Sequence, residues 1–177
     1  DLFAPEVNIT VKGEAAATAA LIPRSRIRVE NDGTTQTYKL RAETIDQRFN
    51  LCERDRFFDQ PAPAVCSGFL TAPDILVTAG HCIATKSICS HTAILFGFGL
   101  DTADKDLTRV EQDNLYLCKD IISQKIDPNS GLDYAVIRLD RPVVGRTPLP
   151  IRRYGEIQKN TKVVRYRPPP RSARPKS

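Results

Sequence analysis

The sequence predicts an all-β domain, a barrel or a sandwich, on two observations. Short runs of branched and aromatic residues recur at irregular spacing along the chain, and no long amphipathic helix separates them. The length of 177 residues and the 41% hydrophobic content allow one domain with a packed core, with room for an appendage. We therefore expect strands to build the core.

The strands can be placed individually. The first two flank the turn APD (72–74), which predicts a hairpin with Pro73 in its loop. Further upstream, NDG (31–33) predicts a turn followed by a short strand. The main runs predicted as strands are VCSGFLT (65–71), ILVT (75–78), TAILFGFGL (92–100), NLYLCKDII (114–122) and LDYAVIRLD (132–140).

We divide the chain into an N-terminal extension (1–45) of unassigned role, a strand-rich domain (46–151) and a linker with a basic tail (152–177). Arg165–Ser177 is low in complexity and rich in proline and arginine, so we expect it to be disordered. Any transmembrane helix is excluded, because no run approaches ~18 apolar residues. The chain contains no methionine, so we expect that Asp1 is not a translation start and that the chain is either processed or a fragment.

The formal net charge of +5 comes from the C-terminal end. Residues 152–177 carry nine Lys and Arg and one acid, whereas the rest carries 17 Lys and Arg and 20 Asp and Glu. A basic tail can bind nucleic acid or a membrane surface. Tyr154 and Tyr166 are the aromatic residues there, so stacking on bases has little support and we expect neither partner.

The five cysteines indicate a disulfide-bonded protein of an oxidising compartment, secreted or periplasmic. No pair has CxxC spacing, which disfavours zinc and thioredoxin-type sites. The odd count leaves one thiol free, or its partner outside this chain. Connectivity cannot be deduced from the sequence, and either Cys89 or Cys118 could pair with Cys52 or with the other.

The segment CSGFLTAPDILVTAGHC (66–82) places His81 after a Thr-Ala-Gly turn at the end of an apolar run. It resembles the histidine segment of chymotrypsin-like (trypsin-like) serine proteases, especially the bacterial secreted branch, with the form C-x-G-x-L, a loop, and two apolar residues before T-A-G/A-H-C. The matching positions are Cys66, Gly68, Leu70, Val77, Thr78, Ala79, Gly80, His81 and Cys82.

The resemblance implies that the strand-rich domain is an antiparallel Greek-key β-barrel, the first of the two barrels of a trypsin-like protease. It also implies a Cys66–Cys82 disulfide and a catalytic role for His81 as general base. Ala79 and Gly80 are small, so the turn can pack closely. The alternative for His81 is a hydrogen-bonded core histidine without a catalytic role.

The second catalytic candidate is Asp133, in LDYAVIRLDRPV (132–143). The family has an aspartate followed by apolar-Ala-apolar-apolar-x-Leu, and Ala135, Ile137 and Leu139 are among the matches. The resemblance implies that Asp133 accepts a hydrogen bond from His81 and orients the imidazole. The alternatives are a solvated turn aspartate, or Asp140 as the acid.

The serine nucleophile of the family is missing from its expected place. The family order is His, Asp, Ser, with the serine in G-D-S-G-G, and Ser172 and Ser177 are the serines after Asp133. Both lie in the tail with no glycine nearby. We therefore expect an N-terminal half of a trypsin-like serine endopeptidase, inactive as it stands. The alternative is a pseudo-protease binding module without catalysis.

The tail suggests a reason for this difference. Relatives continue, after a strand like KNTKVV (159–164), into a segment like VIGHP. With suitable codons, RYRPPP (165–170) read one base out of frame encodes Val-Ile-Gly-His-Pro. Our hypothesis is that the tail is frame-shifted.

The resemblance implies protein or peptide substrates and no metal or cofactor. Cleavage specificity and oligomeric state cannot be predicted.

Overall fold

The structure is a computed structural model that describes residues 8–31, 36–55, 57–99 and 105–163. Its elements are α1 (Ile9–Ala16), β1 (Thr18–Pro23), β2 (Ile27–Asn31), β3 (Gln36–Leu40), α2 (Ile45–Phe49), β4 (Cys66–Ala72), β5 (Ile75–Thr78), α3 (Lys86–Ser90), β6 (Thr92–Phe96), β7 (Arg109–Glu111), β8 (Leu115–Asp127) and β9 (Leu132–Leu139). Single 3₁₀ turns occupy Arg24–Arg26, Gly80–Ile83 and Gln112–Asn114.

Six strands form a closed antiparallel barrel in the order β1-β4-β5-β9-β8-β6. The predicted all-β barrel is thereby confirmed. The β4–β5 hairpin is also present, with Pro73 and Asp74 as its turn. Strands distant in sequence pair at β5–β9 and at β1–β6, and these pairings close the barrel. The strand predicted over 92–100 ends at Phe96.

The barrel begins earlier than the expected domain boundary at residue 45. β1 lies in the segment that we had set apart as an extension, and it pairs with β4 and β6. Its sequence, TAALIP, lacks the alternation of a half-buried strand because both of its faces are covered: four consecutive residues, Ala19 to Ile22, are buried. A periodicity of two therefore could not reveal it.

A second, three-stranded sheet in the order β2-β3-β7 covers part of the outside of the barrel. Leu40 and Val110 from this sheet pack against barrel residues such as Ile22 and Leu95. All five residues of β6 are buried as a result. The turn predicted at 31–33 falls mostly outside the described residues, but the strand expected after it is present as β3.

The barrel interior is filled with branched side chains and two aromatic rings. The rings of Phe96 and Tyr116 pack edge to face, with centroids 5.6 Å apart and planes at 89°. Fully buried large residues of this cluster are Leu21, Leu70, Leu76, Ile83, Ile94, Phe96, Ile137 and Leu139.

Two disulfides cross-link the barrel. The Cys66–Cys82 bridge is confirmed, and Cys89 pairs with Cys118, while Cys52 is an exposed free cysteine. Cys89–Cys118 joins α3 to β8, whereas Cys66–Cys82 joins the start of β4 to the turn after β5. The Cys66–Cys82 bridge therefore fixes the backbone beside His81.

The chain after β9 follows the barrel without forming a helix or strand up to residue 163. Arg146 anchors it, donating hydrogen bonds to the Ala16 carbonyl at 2.8 Å and to the Asn114 side-chain oxygen at 2.8 Å. Residues 164–177 lie outside the described part of the chain. The frame-shift hypothesis concerns these residues, so the structure does not test it. In the described residues, no helix is long and apolar enough to span a bilayer.

Candidate active site

His81 lies in the 3₁₀ turn that directly follows β5. The end of β5 is held by Thr78, whose buried hydroxyl donates to the Ser67 carbonyl of the neighbouring strand at 2.7 Å. The Cys82 amide donates to the Ala79 carbonyl at 3.1 Å, which closes the turn around His81. Strand pairing, turn and disulfide together restrict the backbone of this histidine.

Asp133 is brought to the same place by strand pairing. It is the second residue of β9, and β9 runs antiparallel to β5 with Ala135 opposite Thr78. Because the pairing ends there, the first residues of β9 lie beside the turn that follows β5. Two residues 52 positions apart thus meet at one end of the barrel.

The two side chains form a direct hydrogen bond. Nδ1 of His81 is 2.6 Å from Oδ2 of Asp133, and the His81 backbone N–H donates to Oδ1 of Asp133 at 2.9 Å. An ionised carboxylate can only accept, so the proton of this bond belongs to Nδ1 of the ring. The carboxylate thus holds both the ring and the main chain of His81, and when the ring is neutral its lone pair is on Nε2.

The His81 hydrogen bonds lower the pKa of the Asp133 carboxyl below its ordinary value. The largest cause is the bond from the His81 ring, followed by the bond from the His81 backbone amide, while the Gly80 amide makes a smaller contribution. Asp133 is therefore a carboxylate at neutral pH. Both side chains reach solvent, with 63% of His81 and 40% of Asp133 exposed, so water screens the attraction between them.

Gly80 lets the histidine turn approach β8 and β9 closely. A Cβ atom at this position would lie 2.6 Å from the Lys125 carbonyl, 2.9 Å from the Tyr134 carbonyl and 3.0 Å from Oδ1 of Asp133. Such contacts are shorter than side chains tolerate without a shift of the backbone. This explains the glycine of the Thr-Ala-Gly turn in this chain.

The rival candidates lie elsewhere. Asp140, just beyond the far end of β9, accepts from the Leu117 amide at 2.9 Å and pairs with Arg141. The second histidine, His91, bonds through Nδ1 to the Ser87 carbonyl. Within the described residues, no hydroxyl group is hydrogen-bonded to His81.

One cluster has the composition of a metal site. A ring nitrogen of His81 and the sulfur atoms of Cys66 and Cys82 lie within 4.8 Å of one another. The two sulfurs are joined in a disulfide and therefore lack the thiolate charge with which cysteine binds a metal. In this oxidised state the cluster does not offer a metal site.

The comparison with protein families decides what this arrangement belongs to. The family model described as Trypsin matches residues 57–171, which is more than half of the chain and includes the histidine turn and β9. The chain belongs to the trypsin family. Proteases of this family act on proteins or peptides. The match also extends into the proline-rich tail.

The other comparisons add little to the family assignment. Among solved structures, the scabies mite inactivated protease paralogue S-D1 is similar, at 15% identity and a TM-score of 0.39. The likeness covers 78% of this chain but 41% of that one, so this chain spans less than half of its length. No curated protein matches. Nothing in these comparisons favours the bacterial branch of the family.

Two features of the site lay beyond sequence reasoning. The backbone bond from His81 to Asp133 has no side-chain signature, because every residue but proline carries an N–H. The close approach of Lys125 to Gly80 depends on where β8 passes the turn in the folded barrel. The Thr-Ala-Gly motif signalled a tight turn but not what it packs against.

Proposed function

We propose that this chain carries the base and the acid of a trypsin-like serine endopeptidase, with His81 as general base and Asp133 as the residue that orients it. The observation that carries the proposal is the 2.6 Å bond between Nδ1 of His81 and Oδ2 of Asp133. Bonded this way, the ring presents an unprotonated Nε2, which is the atom a general base needs.

In the complete reaction, Nε2 of His81 takes the proton of a serine hydroxyl as that oxygen attacks the scissile carbonyl. The imidazolium then gives this proton to the leaving amine, and Asp133 stabilises the charged ring throughout. The exposure of His81 supports this role, because the nucleophile and the substrate must both reach the ring. The substrates are proteins or peptides.

The described residues do not identify the serine nucleophile. No described hydroxyl bonds to His81, and the serines that follow Asp133 in sequence are Ser172 and Ser177, outside the described residues. We therefore expect the 177 residues alone to hydrolyse no peptide bond. Two disulfides support a secreted or periplasmic location, since such bonds persist in oxidising compartments.

Labelling of the full-length gene product with a fluorophosphonate probe tests the proposal. We expect one labelled serine and a labelling rate that falls by about 10⁴-fold in Asp133→Asn, which keeps the shape of the side chain but disturbs the histidine tautomer. His81→Ala should abolish labelling, whereas the matched His91→Ala should leave it unchanged. A full-length protein with no labelled serine would instead support a binding module without catalysis.

A further inference from the structure

The three-stranded sheet has an edge that the proposed proteolysis does not use. Its order is β2-β3-β7, so β2 pairs with β3 on one side and, within the described residues, with no strand on the other. We propose that this second side, the free edge of β2, pairs antiparallel with β2 of a second copy of the chain. The two sheets then join into one sheet of six strands. This pairing does not depend on the proposed proteolysis.

The main chain of β2 presents hydrogen-bonding groups to the free edge. The Leu40 amide donates to the Thr108 carbonyl at 2.7 Å, away from β2, although Leu40 is the register partner of Ile27. In an antiparallel pair such a position is non-hydrogen-bonded, and the amides and carbonyls of both residues point away from each other. Ile27 therefore turns its main-chain groups to the free edge, and so does Val29, two residues further along the strand. Unpaired groups of this kind are a template for another strand.

One register of two antiparallel β2 strands suits both the main chain and the charges. The groups at the free edge belong to alternate residues, Ile27, Val29 and Asn31, so these residues must lie opposite one another. When Val29 lies opposite Val29 of the second copy, Arg28 of each chain lies opposite Glu30 of the other. The neighbouring registers that keep the main-chain pattern put Arg28 opposite Arg28 or Glu30 opposite Glu30, and like charges directly opposite repel.

The side chains on the two faces of β2 also match in this register. Arg28 and Glu30 are exposed, and within the described residues neither takes part in an ion pair. Their positions at the free edge are non-hydrogen-bonded, where opposite Cα atoms are about 4.5 Å apart, so they form two ion pairs related by the two-fold axis. Val29 lies opposite Tyr38, which packs against the barrel, yet Val29 is 54% exposed. Contact between the two Val29 side chains covers apolar surface that the barrel leaves open.

The dimer belongs to the weak, reversible class. A strand of five residues is too short to bury the roughly 1,600 Å² of a typical stable interface. The ion pairs between Arg28 and Glu30 lie at the surface, where such pairs add little affinity. Their main effect is to select the register, because the alternatives place like charges together. We therefore expect association only at high protein concentration.

Sedimentation velocity of the 177-residue chain from about 10 µM to about 1 mM tests the proposal, since this range covers weak complexes. A Cys52→Ser background excludes dimers linked through the exposed free thiol. We expect the average sedimentation coefficient to rise with concentration towards that of a dimer. Arg28→Glu and Glu30→Arg each bring like charges together, so each should raise the dissociation constant by about tenfold or more. The control Lys119→Glu makes the same charge change as Arg28→Glu at an exposed position of β8, and it should leave association unchanged.

The two charge variants should restore each other when mixed. In the mixed dimer, both glutamates of the Arg28→Glu chain face both arginines of the Glu30→Arg chain. We therefore expect dimers in an equal mixture at concentrations where each variant alone is monomeric, and also in the double variant Arg28→Glu/Glu30→Arg. Val29→Pro should prevent association without changing the circular dichroism spectrum, because it removes an amide that points out of the sheet. The proposal is overturned if the chain stays monomeric at about 1 mM, if either charge variant associates like wild type, or if the mixture stays monomeric.

Discussion

At the residue scale, Asp133 holds His81 at two points, through the ring nitrogen and through the backbone amide. The first bond selects the Nδ1-protonated tautomer, and the second prevents the turn from moving away from β9. A carboxamide could accept one of these bonds but would offer no charge to the imidazolium. The carboxylate is therefore the chemical feature on which the proposed base depends.

Acid should weaken the contribution of Asp133 to stability. The bonds from His81 lower its pKa in the folded chain, while its unfolded pKa is about 3.9. Between the two values the unfolded chain binds more protons, so stability falls as pH falls through this interval. We expect the difference in thermal midpoint between wild type and Asp133→Asn to have its largest value above about pH 5 and to decrease below that pH.

Circular dichroism melts from about pH 6 to below pH 3 measure this difference, since the contribution begins to be lost near the unfolded pKa of about 3.9 and is lost further down to the lower folded pKa. In a His81→Ala background the pH dependence should be smaller, because the largest cause of the lowered pKa is gone. A midpoint difference that does not change with pH would show that the carboxylate bond contributes nothing in solution.

At the element scale, the β4–β5 hairpin depends on a glycine where the two strands touch. A Cβ at Gly68 would lie 2.5 Å from Leu76 Cδ2 and 2.9 Å from the Val77 carbonyl. We expect Gly68→Ala to destabilise the chain by about 1–3 kcal/mol, measured by urea unfolding, because overpacking forces the strands apart.

Gly13, in α1, is the matched position, since a Cβ there would meet nothing within 4 Å. Gly13→Ala should be neutral or stabilising by up to about 1 kcal/mol, since alanine favours a helix. Equal effects of the two substitutions would contradict the close strand contact.

The two disulfides should contribute similar amounts to stability. Their sequence separations are 16 for Cys66–Cys82 and 29 for Cys89–Cys118. In the chain-entropy model, replacing either pair by serines costs about 3 kcal/mol, with about 0.5 kcal/mol more for the longer loop. Urea unfolding of the two double-serine variants measures both, and losses below about 1 kcal/mol would mean that neither bridge restricts the unfolded chain.

The sequence predicted the elements whose signals are local. The β4–β5 hairpin has a proline turn, and the family motifs located His81 just after this hairpin and Asp133 at the start of β9. β1 was missed because a strand covered on both faces has no alternation. The pairing of Cys89 with Cys118 was left open, because the spacing of cysteines does not determine connectivity.

At the scale of the whole molecule, the three-stranded sheet is packed as a second layer on the barrel. Leu40 of β3 is 3% exposed and packs in the cluster that includes Ile22 and Leu95 of the barrel. We expect Leu40→Ala to lower the free energy of unfolding by about 2–5 kcal/mol. The sheet and the barrel should still unfold in a single transition. Val29 of β2 is 54% exposed, and Val29→Ala should change stability by no more than about 0.5 kcal/mol.

Urea unfolding followed by circular dichroism compares the two variants. If Leu40→Ala is as mild as Val29→Ala, the sheet does not pack on the barrel in solution. A separate early transition in Leu40→Ala alone would show instead that the sheet unfolds independently of the barrel.

The proposed general base depends on the bond between the His81 ring and the Asp133 carboxylate, and nitrogen-15 NMR of the ring measures this bond directly. At a pH where the rings are neutral, long-range ¹H–¹⁵N spectra distinguish a protonated Nδ1 from a protonated Nε2. We predict that His81 carries its proton on Nδ1, and that Asp133→Asn removes this preference while the His91 signals stay unchanged. A His81 ring protonated on Nε2, with the same spectrum in Asp133→Asn, would contradict the account.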